Sequence, residues 1–168
     1  MPTRCKTSAL CWGAAAFAAA FVFIGAAHGA PVGPFSMLSG NWSGAGKLTL
    51  GGGTDERIRC RASYNVQSEG SSMQLQLRCA SDSYNFELRS NVIYRDGSVQ
   101  GDWNETTRSV AGRVEGSVNG NHFNLRVDSQ SFAALLSLVT NGGSQTITIE
   151  GPPGAEMRRA SISLSRGG

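Results

Sequence analysis

The residues of this 168-residue chain that could do chemistry fall into four groups: Cys60 with Cys79, Glu105 beside Trp103, the mid-chain His122, and the arginines Arg57, Arg59, Arg61 and Arg78. The sequence holds four cysteines, but Cys5 and Cys11 precede an apolar run, which leaves Cys60 and Cys79 as an even pair. In an exported chain such a pair reads as a disulfide; the alternative is two small buried hydrophobes. No Cys-x-x-Cys spacing is present, so the expected role is structural and not redox. Glu105 continues the alternation of Val99, Gly101 and Trp103, which aims its carboxylate at the inward face. There it must be paired, protonated or at an opening. Either the strand ends or bulges near Asn104 and Glu105 is solvated, or Trp103 and Glu105 form a pocket rim with Arg108 as ion-pair partner. Acid catalysis by Glu105 would require a second placed group, and the sequence identifies none.

His122 adjoins the turn signal Asn119, Gly120, Asn121 and is expected to be an exposed turn residue. A Ser-His-Asp triad lacks the Gly-x-Ser-x-Gly elbow. Metal binding lacks a ligand cluster: the cysteines are consumed by the disulfide and there is no His-x-His or Asp-x-Asp run. Glycines 51–53 precede a strand and not a helix, so they form a flexible turn and no phosphate loop. No catalytic residue, metal site or cofactor is therefore expected. The arginines are the remaining group. Arg57, Arg59 and Arg61 share the outer face of one strand, and Arg61 lies opposite Arg78 in the register derived below. Like charges that face each other destabilise a sheet unless anions intervene, and guanidinium groups suit carboxylate, phosphate or sulfate. The face is thus either a surface for an acidic protein or polyanion, or a solvated one neutralised by Glu87 and Asp55.

These residues are positioned by short alternating runs. Residues 57–66 and 73–79 alternate in polarity around a turn signal at residues 67–72. A hairpin centred between Glu69 and Gly70 pairs Val66 with Met73, Tyr64 with Leu75, Ala62 with Leu77 and Cys60 with Cys79, so every pair is apolar and the cysteines face each other. A slip of one residue would turn that set to the wrong face. The same grammar recurs through Trp42 to Leu50, Tyr84 to Val92, Val99 to Trp103, Val110 to Val118, Phe123 to Val127, Ile147 to Ile149 and Ile162 to Leu164. Residues 132–139 are apolar on both faces and read as a doubly covered strand. The expected fold is all-β, a single small antiparallel up-and-down β-barrel of about 8–10 strands. Alternate glycines, Gly44 with Gly46 and Gly112 with Gly116, favour a barrel because sharply coiled strands need such kinks. An outer-membrane barrel is disfavoured: the polar faces are rich in arginine and the chain ends on Leu-Ser-Arg-Gly-Gly without a terminal aromatic.

Ahead of the strands, a short basic leader carrying Arg4 and Lys6 runs into about 15 alanine-rich apolar residues, fewer than the roughly 20 that span a bilayer as a helix. The expected organisation is a signal peptide over 1–29, cut after Gly29, a short linker over 30–37 and a barrel domain over 38–168. The formal charge of +3 counts 15 basic and 12 acidic residues; without Arg4 and Lys6, 13 basic residues remain and the charge is +1. That balance excludes a strongly basic nucleic-acid binder. Twelve of those 13 are arginines, an uneven choice that concentrates forked donors on the outer faces. The expected location is periplasmic or secreted, with no membrane insertion once the leader is gone. Trp42, Tyr64, Met73, Tyr84, Phe86, Trp103 and Glu105 are candidate lining residues for a small apolar or amphipathic ligand. The alternative is a structural, interaction or inhibitor-type envelope protein that acts through its loops or its arginine face.

Residues 38–46, Leu-Ser-Gly-Asn-Trp-Ser-Gly-Ala-Gly, resemble the opening strand of lipocalin-like barrels, the calycins, with Gly40-x-Trp42 at the family's Gly-x-Trp. That resemblance implies a tryptophan packed across the closed end of a barrel. The Trp-x-Gly-x-Gly continuation is similar to the opening strand of nitrobindin-type haem-binding barrels, but those carry their haem histidine near the C-terminus, whereas His122 lies mid-chain. Taken whole, the chain resembles exported proteins of Gram-negative soil bacteria, which implies a location and no activity.

Overall fold

The computed structural model describes residues 32–131 and 133–167. The expected signal peptide, the first two residues of the expected linker and Phe132 lie outside them. Ten strands follow in order: β1 (Gly40–Leu50), β2 (Asp55–Gln67), β3 (Ser72–Ala80), β4 (Asn85–Arg95), β5 (Ser98–Glu105), β6 (Val110–Asn119), β7 (His122–Ser129), β8 (Ala133–Asn141), β9 (Ser144–Glu150) and β10 (Met157–Arg166). Each pairs antiparallel with its neighbours in the chain, and β10 returns to β1 from Trp42 opposite Arg166 to Leu50 opposite Met157, so the sheet closes as an up-and-down barrel without free edges.

Period-two patterning determines which residues face inward. Along β2 the arginines at 57, 59 and 61 are exposed while Ile58, Cys60, Ala62 and Tyr64 are buried. The β2–β3 register is the expected one, with Val66 opposite Met73, Tyr64 opposite Leu75 and Ala62 opposite Leu77. Cys60 and Cys79 face each other at a Cα separation of 4.1 Å and form the disulfide. The turn between the strands is the tight segment Ser68–Gly70, in which Gly70 takes a φ of 90° that favours glycine.

Two glycine sites bend the wall. A Cβ built at Gly44 would overlap the carbonyl oxygen of Ser163 on β10, and one at Gly112 the carbonyl of Asp128 on β7. The glycines therefore serve close approach of neighbouring backbones, the physical form of the kinks expected from their spacing. The strand at 133–139 departs from expectation on one point. Its outer face is not covered, because Leu135 is 58% exposed. The barrel wall is one sheet thick, and among the described residues no element lies over β8.

Part of the segment expected as a linker is instead structural. Pro34–Leu38 forms a 3-10 helix across one end of the barrel, with Phe35 and Leu38 fully buried. Phe35 stacks on Phe123 at 6.1 Å between ring centres and meets Tyr94 edge-on at 6.4 Å. Trp42 Nε1 donates to the Leu38 carbonyl at 2.7 Å. Arg166 donates to the carbonyls of Ser39 and Met37 and lies 4.5 Å above the Trp42 ring. This end is closed. The turns 51–54, 81–84, 106–109 and 151–156 form the opposite end.

Candidate functional site

At the end away from the 3-10 helix, β5 finishes on Glu105. Its side chain points inward, as the alternation requires, and is almost completely buried. Its Oε1 accepts from the backbone N–H of Glu87 (3.1 Å) and of Thr107 (3.0 Å) and from the Thr107 hydroxyl, while Oε2 accepts from the N–H of Arg108 at 2.8 Å. Burial pushes the carboxyl pKa up, but these hydrogen bonds outweigh it and hold the group below the ordinary carboxylate range. The solvated-bulge reading is thus corrected: Glu105 is held ionised by donors from its own rim loop and from Glu87 on β4. Arg108 does stand beside it, at 4.0 Å. The arginine makes closer contacts elsewhere, donating to Asn85 O at 2.8 Å and to the Thr107 hydroxyl at 3.1 Å, with its guanidinium 4.2 Å above the Tyr84 ring. Burial raises the Tyr84 phenol pKa and the Arg108 charge opposes that rise.

A second carboxylate does the same for the adjacent loop. Glu56, the first inward position of β2, accepts from the Ser81 hydroxyl at 2.6 Å, from the Ser83 hydroxyl, and from the Ser83 N–H at 3.2 Å. The Ser81 and Ser83 bonds lower its pKa. Sequence reading passed over Glu56, although an acid opening the apolar face of an alternating run is the same signal that singled out Glu105. Together the two carboxylates tie down the loops at 81–84 and 106–109, through half-buried hydrogen bonds at Glu105 and partly exposed ones at Glu56.

The expected lining residues divide between the two ends. Trp42, Tyr64 and Met73 are buried in the closed half and belong to its packed floor. The Tyr64 hydroxyl donates to Gln145 Oε1 at 3.2 Å, and burial drives its pKa well above that of a free phenol. Gln145 faces Thr140 across β8 and β9; both are buried, and Gln145 Nε2 and Thr140 Oγ1 have no hydrogen-bond partner among the described residues. Neither residue was singled out from the sequence, though each interrupts an apolar inward face. Trp103 is buried in the wall, where its Nε1 donates to Arg113 O at 3.1 Å. Tyr84 and Phe86 are near the mouth and only partly buried, as are Leu77, Leu88, Val127, Leu136 and Ile149, which the register also turns inward.

On the outside, Arg61 faces Arg78 and has Ser43 on its other side. Arg78 pairs with Glu87 at 3.3 Å. Asp55 does not neutralise the arginines, as one reading expected; it binds Lys47 at 2.6 Å and the Thr49 hydroxyl at 2.6 Å. These two contacts lower its pKa. Arg57, Arg59 and Arg61 have no acidic partner among the described residues. His122 is exposed at the start of β7, as expected, and its Nε2 lies 3.0 Å from the Ser137 hydroxyl. Among the described residues no group of three His, Cys, Asp or Glu side chains is gathered as a metal site.

No protein-family model matches the chain, and no curated protein does so. Solved structures do resemble it. Rv2717c from M. tuberculosis superposes with a TM-score of 0.63 at 12% identity, covering 79% of this chain and 94% of that one. The S-type phycobiliprotein lyase CPES from Guillardia theta gives 0.56 at 14% identity, covering 80% of this chain and 90% of that one. At these identities the likeness concerns the fold alone, a closed antiparallel β-barrel.

Proposed function

We propose that this protein is an exported, non-catalytic barrel protein that binds a small apolar or amphipathic ligand through its open mouth. The observation that supports this reading is a set of inward-facing apolar residues near the open end that are only partly buried. Toward the open end, inward-facing Leu77, Phe86, Leu88, Leu136 and Ile149 keep part of their apolar surface exposed beside the fully buried Leu48, Ile58 and Ala160, while the 3-10 helix closes the other end over Trp42, Phe35 and Phe123. Apolar surface left accessible inside a rigid wall is what small-ligand sites present, and the fixed Tyr84–Arg108 lip supplies a polar edge. The exterior is polar and the interior apolar, the inverse of a lipid-spanning barrel. Export accords with the expected leader and with a disulfide that an oxidising compartment would preserve.

Tryptophan fluorescence tests the reading. Trp103 sits in the wall, so titration with fatty acids, retinoids and haem should give saturable quenching with one of them. Phe86→Ala should weaken that binding by about tenfold, the effect of losing one well-buried aromatic contact. Absence of saturable quenching across the panel would remove the ligand-binding reading.

A further inference from the structure

The wall carries a concavity whose charged side chains all stand on the outer face. A groove of about 660 Å³ crosses β1 to β4; Arg59, Arg61, Arg78 and Glu87 line it from the outer face, and the inward-turned Cys60 and Phe86 also contribute to its lining. Its shape follows from residue size. Arg59 has Ala45 on one side and Ala80 on the other, and Arg61 has Ser43 beside it, so long cationic side chains stand over a floor of short ones. Its charge follows from register. Three guanidinium groups meet one carboxylate, Glu87, and that carboxylate is already engaged by Arg78 at 3.3 Å. Arg59 and Arg61 make no hydrogen bond or ion pair among the described residues, and Arg61 directly faces the like-charged Arg78. A sheet that places like charges opposite each other loses stability, and an intervening anion reverses the sign of that interaction.

We propose that this groove is a binding site for a compact polyanion carrying two or more phosphoryl or sulfate groups. The two-group requirement comes from the spacing. Arg59 and Arg61 are two residues apart on one strand face, about 6.7 Å along the strand, and Arg78 stands across from Arg61 at about 5.5 Å. One oxyanion reaches one fork or one opposed pair, whereas a polyanion spans all three. Forked donors engage such oxygens two at a time, and Ser43 and Asn85 add neutral donors along the groove. The volume matches small-ligand sites and exceeds the needs of a single phosphate. A charge of only +1 beyond the expected leader argues against a long nucleic-acid track, and the groove is local. The inference is independent of the lumen reading, because none of the three arginines faces inward.

Calorimetric titration of the purified protein with tripolyphosphate, orthophosphate and vesicles containing phosphatidylglycerol tests it. Tripolyphosphate should bind saturably with one site, and orthophosphate at least about tenfold more weakly. Arg59→Gln with Arg61→Gln should weaken tripolyphosphate at least about tenfold, the scale of a lost charge-assisted pair. Arg59→Lys with Arg61→Lys, which keeps the charge and the fold but removes the forks, should also weaken it several-fold. Arg89→Gln, outside the groove, should change nothing. Equal binding by the lysine variant, equal loss in Arg89→Gln, absence of saturable binding, or binding of vesicles without binding of tripolyphosphate would each overturn the proposal.

Discussion

A single carboxylate shows how much one side chain can organise in this barrel. Glu105 takes three donors from the loop that it also anchors and a fourth from Glu87 on β4, so its replacement is a test of the lip as a whole. In Glu105→Gln the amide nitrogen would confront an N–H donor where an oxygen now accepts. We expect destabilisation of about 2 kcal/mol at neutral pH in urea unfolding, the scale of charged hydrogen bonds lost in a buried place. The pH dependence has a definite sign. Because the folded carboxyl titrates below its ordinary value, its contribution is present above that ordinary value and disappears as pH falls through the folded one. The gap between parent and variant should therefore narrow in acid; a gap that stayed constant to pH 3 would mean the ionised form is not what the loop recognises. The inward aim of Glu105 was legible from alternation alone. Its partners were not, because backbone donors become available only when residues 106–109 take one particular turn, which polarity patterns do not encode. Gln145 and Thr140 were legible in the same limited sense, as polar residues at inward positions.

At the level of elements, the β2–β3 hairpin was the most readable part of the chain, since turn chemistry, apolar pairing and cysteine position all require one register. The loop closed by the disulfide spans a sequence separation of 19. Removing it with Cys60→Ala and Cys79→Ala should lower stability by about 3 kcal/mol in the chain-entropy model. Peptide mapping without reductant should recover the linked pair from the native protein, and two free thiols would contradict the structure. The 3-10 helix was the least readable element. Five residues are too few to show a period, and Pro31, Gly33 and the opening Pro34 look like a linker; only Phe35 and Leu38 mark the segment as a plug. Glycine spacing gave the barrel but not the reason for it. Close approach of β1 to β10 and of β6 to β7 depends on strands far apart in sequence or on local coiling that a one-dimensional pattern does not carry.

Across the whole molecule, charge and apolar surface are sorted by side and by end. The net charge expected beyond the leader is small, yet the arginines leave one part of the wall strongly cationic, and inward apolar residues near the lip such as Leu77, Phe86 and Leu88 are only partly buried. If the space beside them is where a ligand lodges, filling it should abolish binding without harming the fold. Leu88→Trp adds volume beside Phe86 and Leu77; we expect it to reduce fluorescence-detected binding at least about tenfold while thermal unfolding stays within a few degrees of the parent. A marked fall in unfolding temperature would show instead that Leu88 is already fully packed. The closed end has a temporal consequence as well. Its floor joins residues 34–38 near the start of the described chain to Arg166 at the end of β10, and β1 has no second partner until β10 arrives. During synthesis the first strand must wait for the last one. A chain cut short before β10 retains two unsatisfied edges and an unfastened plug, which makes it recognisable to proteases as an incomplete product.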